Sequence, residues 1–316
     1  MSRFNDLRIF AGRSHCELTQ AICSHLGVEP GKRDIVRFSN ENLLVQIEES
    51  VREADVFVVQ TSCPPVNEHI MELLIMIDAL KRASAGRITA VLPYFPYVRS
   101  DKKDKPRIPI TARLMADLLE AAGADRVVTM DLHSPQIQGF FKIPLDHLQA
   151  GPLLADYIRS TTDLENAIVV ASDAGEAKDA AAFANRLNLD IAIIDKRRFG
   201  HDDRAVAANL IGDVRGKRAI LIDDEIASGG TMLQAAEFLR REGAVEVVAC
   251  ATHAVFTGNA TQKIAGSAIA RMAVTDTIPV NDEKRWDSLS VLSVAPLFAN
   301  AIRRIHEGES VSTLFL

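Results

Sequence analysis

Short apolar runs alternate with longer helical patterns along this chain, and the alternation occurs twice. In the first half, the strand patterns cover residues 7–10, 35–38, 56–59, 88–92 and 127–130. In the second half, they cover residues 168–171, 191–194, 220–222, 245–249 and 270–274. Strands that alternate with helices require crossover connections, which produce a parallel sheet with helices on both faces. We therefore predict an α/β protein with two tandem domains, each built on a mainly parallel sheet.

Helical patterns lie between these strands and locate the domain boundary. They cover residues 14–26, 67–83, 111–122, 177–187, 232–241 and 296–306. A chain of 316 residues is long enough for two domains of ordinary size. The turn signal Gln149-Ala150-Gly151-Pro152 precedes a new helix and predicts domains at residues 1–149 and 150–299. We expect the last segment, from about residue 300 to 316, to pack back on the first domain.

Composition and charge exclude several classes of protein. The hydrophobic content of 47% and charged content of 25% are typical of a soluble globular protein, and the net charge of -6 argues against a general nucleic-acid binder. No apolar stretch reaches the roughly 20 residues that span a bilayer, and the N-terminal residues lack a signal-peptide core. We therefore expect a cytoplasmic protein without membrane or nucleic-acid partners. The four cysteines form no C-x-x-C pair, so free thiols are expected.

The strand pattern at residues 220–222 ends in two carboxylates, Asp223 and Asp224, and a small-residue loop then opens a helix. The loop residues are Ala227, Ser228, Gly229, Gly230 and Thr231. Backbone N–H groups and a helix N-terminus converge in such a loop, which suits a phosphate. The two acids could bind sugar hydroxyls or a magnesium shell, so a sugar phosphate with a divalent cation fits all these groups. The alternative is a strand–turn–helix whose acids only cap the helix.

Ligands of open α/β sheets bind beyond the carboxyl ends of the strands, where two further groups lie. Asp131 and His133 follow the strand at 127–130, and Asp173 follows the strand at 168–171. A lone histidine in such a place is more often structural. Together, these residues could hold a magnesium ion across the domain interface, because magnesium prefers hard oxygen ligands and retained water.

Two charged segments have both a functional and a surface interpretation. Residues 195–204 place Lys196 and Arg198 after a strand, as in a mobile loop that closes over a polyphosphate, although composition alone favours a solvated surface loop. Residues 94–107 combine aromatic and charged side chains that could stack a base and pair its phosphates. Interleaved aspartates count against a basic nucleic-acid patch there. The chain contains neither a P-loop nor a dinucleotide fingerprint.

Residues 223–231 resemble the phosphoribosyl-diphosphate binding loop of type I phosphoribosyltransferases, and nearly the whole chain is similar to the ribose-phosphate diphosphokinases, or phosphoribosyl-diphosphate synthetases. The matching segments are residues 66–74, 92–107, 131–141, 172–175, 195–198, 223–231 and 301–312. This resemblance implies two phosphoribosyltransferase-like domains and transfer of the β,γ-diphosphoryl group of ATP to O1 of ribose 5-phosphate, with release of AMP. It also implies Mg²⁺ as the cofactor and a homo-oligomer, with a hexamer favoured over a dimer or tetramer.

The same resemblance assigns roles to individual residues. The loop from Ala227 to Thr231 would hold the 5-phosphate, and Asp223 with Asp224 the ribose hydroxyls. His133 and Asp173 would ligate magnesium with Asp131 nearby, and Lys196, Arg198 and His133 would be catalytic. The residues on the ATP side would be Phe38, Asn40, Asn42, Arg99, Ser100, Asp101 and Asp104. Phe38 would lie against adenine and come from a neighbouring subunit.

The chain departs from the family pattern at several of these positions. The altered positions are the segment 38–42, Ser100, Ala227, Glu176 and Asp179. The altered segment 38–42 concerns nucleotide preference or affinity, and Glu176 and Asp179 add negative charge that repels a polyphosphate unless it faces away. Two other functions therefore stay open: a regulatory paralogue that assembles with an active synthetase, and a phosphoribosyltransferase that uses a base. Activity of the purified chain alone separates the synthetase from the paralogue, and base-dependent consumption of the diphosphate would identify the phosphoribosyltransferase.

Overall fold

The computed structural model describes residues 4, 6–198 and 205–314, and the chain forms two units. The first unit contains Met1–Gln149, Thr277–Pro279 and Ser293–Leu316, and the second contains Ala150–Asp276 and Val280–Leu292. The chain thus returns to the first unit twice. Its last segment belongs to the first unit from Ser293 onward, which is earlier than residue 300.

The first unit is built on a five-stranded, wholly parallel sheet with the order β1-β4-β5-β6-β7. Among its described residues, the first unit contains seven strands, two of which (β2 and β3) lie outside this sheet. They are β1 (Leu7–Ala11), β2 (Arg33–Arg37), β3 (Leu43–Ile47), β4 (Asp55–Val59), β5 (Arg87–Leu92), β6 (Arg126–Met130) and β7 (Leu145–Leu148). Its first three helices are α1 (Cys16–Leu26), α2 (Val66–Arg82) and α3 (Thr111–Ala122). Every residue of β4 is buried, as expected for a parallel strand covered on both faces.

A separate two-stranded sheet lies outside this parallel sheet. β2 pairs with β3 in antiparallel register, with Val36 opposite Leu44. The strand predicted at residues 35–38 therefore exists, but its place in a parallel sheet was wrong. The reason is visible in its burial, since β2 has no fully buried residue and cannot be a central strand. The sequence analysis also missed β3 and the edge strand β7.

The second unit is built on a seven-stranded sheet with the order β10-β9-β8-β11-β12-β13-β14. Its helices are α4 (Gly151–Thr161), α5 (Ala177–Leu187), α6 (Gly230–Arg241) and α7 (Ala260–Ala265). Its strands are β8 (Ala167–Ala171), β9 (Asp190–Arg198), β10 (Ala205–Ile211), β11 (Arg218–Glu225), β12 (Glu246–His253), β13 (Ile269–Thr275) and β14 (Leu289–Leu292). Only the β9–β10 pair is antiparallel among these described strands. The predicted α/β class with mainly parallel sheets is confirmed.

The closing helix α8 (Ala295–Glu307) packs on α1 and is anchored to the first sheet by a buried carboxylate. Asp55 of β4 is fully buried and accepts two hydrogen bonds from Arg87, at 2.8 and 2.6 Å. His306 of α8 lies 2.9 Å from the same carboxylate, and Arg87 also donates to the carbonyl of Ile305 at 3.0 Å. One carboxylate therefore joins two strands and the C-terminal helix.

Among the residues that the structure describes, every helix is too short or too polar to cross a lipid bilayer.

We expect Asp55→Ala to lower the free energy of unfolding by roughly 2–4 kcal/mol. Removing the buried anion leaves two cationic or polar partners without their acceptor, and partial exposure of Arg87 moderates the loss. The measurement is urea unfolding followed by circular dichroism. Asp78→Ala is the control, because Asp78 pairs with Arg82 on the exposed face of α2 and should change stability little. Equal losses in both variants would contradict the anchoring role.

Candidate active site

The loop between β11 and α6 forms a small cradle in which glycine occupies a position that is strained for other residues. Gly229 has a φ of 74°, and a Cβ built there would lie 3.1 Å from Ile264. The loop is held from the neighbouring strand's side, because Ile226 donates to the carbonyl of His253 and Thr257 donates to that of Ala227, both at 2.9 Å. The N-terminus of α6 follows directly, so its first N–H groups line the cradle.

Three carboxylates meet beside this cradle. Glu176, Asp223 and Asp224 each offer an oxygen, and these oxygens lie within 4.8 Å of one another. Burial, the hydrogen bond with Asp224 and the negative charges of Asp224 and Glu176 raise the pKa of Asp223 to about 8. The unliganded protein therefore retains a proton here at neutral pH. Hard oxygen donors at this spacing fit a divalent cation such as Mg²⁺.

Asp173 and Glu176 belong to one loop, between β8 and α5, whose backbone is ordered by the first of them. Asp173 Oδ1 accepts hydrogen bonds from the backbone N–H groups of Gly175, at 2.8 Å, and Glu176, at 3.3 Å. The carboxylate of Glu176 faces the acid pair, since one of its oxygens lies within 4.8 Å of oxygens of Asp223 and Asp224. The sequence alone identifies Glu176 as a departure from the family pattern, but it does not show in which direction the side chain points.

The turn between β2 and β3 contains three of the residues predicted to contact ATP. Phe38 is 49% exposed, and it closes the turn by donating its backbone N–H to the carbonyl of Asn42 at 2.9 Å. Asn40 Oδ1 accepts from the backbone N–H of Asn42 at 3.2 Å. The side chain of Asn40 therefore stabilises the turn, and the aromatic ring of Phe38 is available at the tip.

Ion pairs attach this hairpin to α2, and the sequence analysis missed them. Arg37 of β2 lies 3.7 Å from Glu68, which also pairs with Arg13 at 2.9 Å. Arg13 pairs with the fully buried carboxylate of Glu72 at 2.5 Å. Partners more than thirty residues apart in sequence meet only after the sheet and α2 have packed, so no local pattern reveals them.

The segment predicted to contact the ATP phosphates precedes α3. Arg99 and Asp104 are exposed and Asp101 is half-buried. Ser100 has a structural use, since its hydroxyl accepts from the backbone N–H of Thr111 at 3.1 Å and bonds the Thr111 hydroxyl at the same distance. These bonds tie the start of α3 to the segment, so any contact of Ser100 with a nucleotide competes with them.

Asp131 and His133 follow β6 as predicted, and strand β7 contacts the loop that contains them. His133 is exposed and Asp131 is half-buried, with a φ of 35°. The backbone N–H of Asp131 donates to the carbonyl of Leu148 at 3.1 Å, and that of Leu132 donates to Nε2 of His147 at 2.9 Å. That His133 and Asp173 share one cation stays a prediction.

Lys196 and Arg198 were predicted to lie in a loop, and this was wrong for their backbone. β9 continues to Arg198, and Lys196 pairs with Ala207 in the antiparallel β9–β10 ladder. Ladder hydrogen bonds involve the backbone, so cationic side chains do not prevent them. The side chains of Lys196 and Arg198, and the rest of the predicted loop at residues 199–204, lie outside the described part of the chain.

Comparison with known proteins places this geometry in a family. Residues 7–123 match the N-terminal domain of ribose phosphate pyrophosphokinase, and residues 199–316 match the phosphoribosyl synthetase-associated domain. The chain is 54% identical to the ribose-phosphate pyrophosphokinase of Caldanaerobacter subterraneus subsp. tengcongensis over the full length of both proteins. The chain belongs to the ribose-phosphate pyrophosphokinase family.

Further relatives of this pyrophosphokinase family agree in sequence and in fold. The ribose-phosphate pyrophosphokinase of Deinococcus radiodurans is 49% identical over 99% of both chains. The crystal structure of phosphoribosylpyrophosphate synthetase from Mycobacterium smegmatis matches with a TM-score of 0.91 and 45% identity, covering 96% of this chain and 100% of that one. The family and the phosphoribosyltransferase-like fold predicted from sequence are confirmed, and the alternative of a non-enzymatic paralogue is not favoured.

We expect Asp223 to contribute stability that is present at about pH 4 and is lost as pH rises to about 8, when no divalent cation is added. The folded protein keeps the proton of Asp223 up to about pH 8, whereas the unfolded chain loses it near the ordinary value of 3.8. Glu176→Gln removes one nearby negative charge, lowers the pKa of Asp223 and should make this loss smaller. The measurement is urea unfolding at several pH values with a chelator present.

Glu237→Gln is the control for this experiment, because Glu237 is an exposed carboxylate on α6 of the same unit. It should leave the slope of stability against pH as in the unmodified protein. If Glu176→Gln also leaves that slope unchanged, the electrostatic coupling of Glu176 to Asp223 is disproved.

Proposed function

We propose that this protein transfers the diphosphoryl group of ATP to O1 of ribose 5-phosphate, giving AMP and 5-phosphoribosyl 1-diphosphate for nucleotide biosynthesis. The observation that carries the proposal is the glycine cradle beside an acid pair, in a chain that matches ribose-phosphate pyrophosphokinases over its full length. In this reaction a bond forms between O1 and the β-phosphorus. The bond between the β-phosphorus and the oxygen of the departing AMP breaks.

The second unit supplies the sugar-phosphate residues in this proposal. The 5-phosphate lies in the cradle, where it accepts hydrogen bonds from the backbone N–H groups and from the hydroxyls of Ser228 and Thr231. The loop that binds it comprises Ala227, Ser228, Gly229, Gly230 and Thr231. Asp223 and Asp224 accept hydrogen bonds from the ribose hydroxyls, which orients O1 for attack. The raised pKa of Asp223 lets one acid of the pair donate as well.

The first unit supplies the nucleotide residues. The exposed ring of Phe38 stacks on adenine, with Asn40 and Asn42 completing the tip of its hairpin. Arg99, Asp101 and Asp104 contact the ribose and phosphates, together with Ser100 if it gives up its bond to Thr111. We assign residues 1–149 to ATP and 150–299 to ribose 5-phosphate, with the returning C-terminal segment as part of the first domain.

Charge stabilisation is the main contribution that the protein makes to such a transfer. Lys196 and Arg198 are proposed to stabilise the negative charge that builds on the transferred group. His133 is proposed as the third catalytic residue. Mg²⁺ bound near His133, Asp173 and Asp131 would neutralise phosphate charge and orient the oxygens of ATP. The oxygens of Asp131 and Asp173 are hard donors of the kind that Mg²⁺ prefers. The separate cluster of Glu176, Asp223 and Asp224 beside the cradle also offers closely spaced carboxylate oxygens that would fit a divalent cation.

The setting of the reaction follows from the family. We propose Mg²⁺ as the cofactor, the cytoplasm as the compartment, and a homo-oligomer as the assembly, with a hexamer favoured over a dimer or tetramer. In that assembly Phe38 would reach the nucleotide of a neighbouring subunit. No nucleic acid or membrane is proposed as a partner, in keeping with the net charge of -6.

A direct assay tests the function. The purified chain alone should release AMP from ATP when both Mg²⁺ and ribose 5-phosphate are present, and AMP should not form without the sugar. The nucleotide should be varied, because the segment 38–42 departs from the family pattern. Absence of AMP with every nucleoside triphosphate and divalent cation would reject the proposal and favour the regulatory paralogue.

We expect Lys196→Ala to lower kcat by about a hundredfold or more while the protein stays folded, because the contact forms mainly in the transition state. Lys263→Ala removes an exposed lysine from α7 of the same unit and should leave kcat unchanged. The measurements are steady-state kinetics and thermal unfolding of both variants. A normal kcat for Lys196→Ala would remove Lys196 from the catalytic residues.

A further inference from the structure

We infer that His147 is a positioning residue for the loop of residues 131–133, which it holds in the conformation needed to bind magnesium. The inference rests on the proposed function, in which His133 and Asp173 hold the ion with Asp131 nearby, so that two of these three residues lie in this loop. Its basis is one hydrogen bond, in which the backbone N–H of Leu132 donates to Nε2 of His147 at 2.9 Å. His147 was not among the residues singled out from the sequence.

The sheet register explains how a residue of β7 reaches this loop. β6 and β7 are parallel neighbours, with Thr129 opposite His147 and Met130 opposite Leu148. The chain leaves β6 one residue later, at Asp131, so the side chain of His147 lies beside the first turn of the loop. The carbonyl of Leu148 accepts from the N–H of Asp131 at 3.1 Å. Two consecutive residues of β7 therefore hold two consecutive residues of the loop.

The loop needs this support because its backbone is strained. Asp131 has a φ of 35°, a region that side chains other than glycine disfavour. Such a conformation persists only where surrounding contacts hold it. Leu132 is only 5% exposed, so its N–H lacks ready access to water and needs an acceptor from the protein. His147 supplies that acceptor.

The position of Leu132 gives the bond its functional meaning. Leu132 lies between Asp131 and His133, and its N–H belongs to the peptide group that joins it to Asp131. The bond to His147 therefore fixes that peptide group, and with it the direction in which Asp131 leaves the backbone and the direction in which the chain continues to His133. A loop that is fixed before the ion arrives binds it more tightly than a loop that must be ordered on binding. Mutation of a residue that orients metal ligands commonly weakens metal affinity by about tenfold to a hundredfold.

The chemistry of the ring identifies the substitutions that test the role. A backbone N–H can only donate, so Nε2 accepts and the neutral ring has its proton on Nδ1. The Oε1 atom of glutamine reaches about as far from the backbone as Nε2, whereas the Oδ1 atom of asparagine reaches only as far as Nδ1. His147→Gln therefore keeps an acceptor at the right place, His147→Asn puts it too close to β7, and His147→Leu removes it.

The experiment compares these three variants with the unmodified full-length protein. Binding of Mn²⁺ alone, followed by electron paramagnetic resonance, reports the metal affinity without catalysis. Hydrogen exchange of the peptide that covers residues 129–135 reports the loop, and steady-state kinetics separate KM for magnesium-bound ATP from kcat. His25→Leu is the control, because His25 is an exposed histidine at the end of α1.

We expect His147→Leu and His147→Asn to weaken Mn²⁺ binding by about tenfold, to raise KM for magnesium-bound ATP and to speed exchange in the loop. His147→Gln should restore most of the affinity and protection, and His25→Leu should change nothing. If His147→Leu does not fold, the comparison of glutamine with asparagine still decides the question.

Two results would overturn the inference. One is Mn²⁺ binding and loop exchange in a folded His147→Leu or His147→Asn variant that match the unmodified protein. The other is a His147→Gln variant that is folded and as impaired as His147→Asn. Failure of the proposed function is a different outcome, because the unmodified protein would then release no AMP while the Mn²⁺ and exchange measurements remained informative.

Discussion

The convergence of parallel strand ends at one edge of a sheet is the constraint on which this site depends. β8 and β11 are neighbours with Ala171 opposite Ile222, so the residues that follow both strands leave the sheet at the same edge. Asp223 and Asp224 come from β11, and Glu176 comes from the loop after β8. The sheet itself therefore assembles the carboxylates, and the short loop after β11 adds the phosphate cradle next to them.

The negative charges of these carboxylates repel one another, and a bound ligand could offset that repulsion. The pKa of Asp223 is raised because burial and its acidic neighbours oppose ionisation, so the cluster reduces its own repulsion by keeping a proton. A divalent cation or a set of sugar hydroxyls offers a second way to offset the same repulsion. Glu176 adds to this repulsion, since its negative charge contributes to the raised pKa of Asp223.

In the first unit, polar contacts fix the conformations of irregular segments that lie outside the parallel sheet. The turn at Phe38 is closed by Asn40 and attached to α2 through Arg37 and its ion pairs. The segment before α3 is tied to that helix by Ser100, and the loop after β6 is held by β7. In each case a polar contact fixes a short stretch of chain outside the regular helices and strands. Such contacts order a binding surface before the ligand arrives.

Local sequence patterns determined the α/β class, the parallel strands and the acidic loop after β11. The reason is that the spacing of buried residues, and the types of residue at the ends of strands, can be read from neighbouring positions in the sequence. These patterns did not reveal the edge strands β7, β10 and β14, the strand β3 of the two-stranded sheet, or the extension of β9 through its cations. Only the tertiary structure decided that Glu176 faces Asp223, that Asp55 joins β4 to α8, and that His147 meets Leu132. The physical reason is that these contacts join residues far apart in the chain or depend on the direction of one side chain, and both are set by packing.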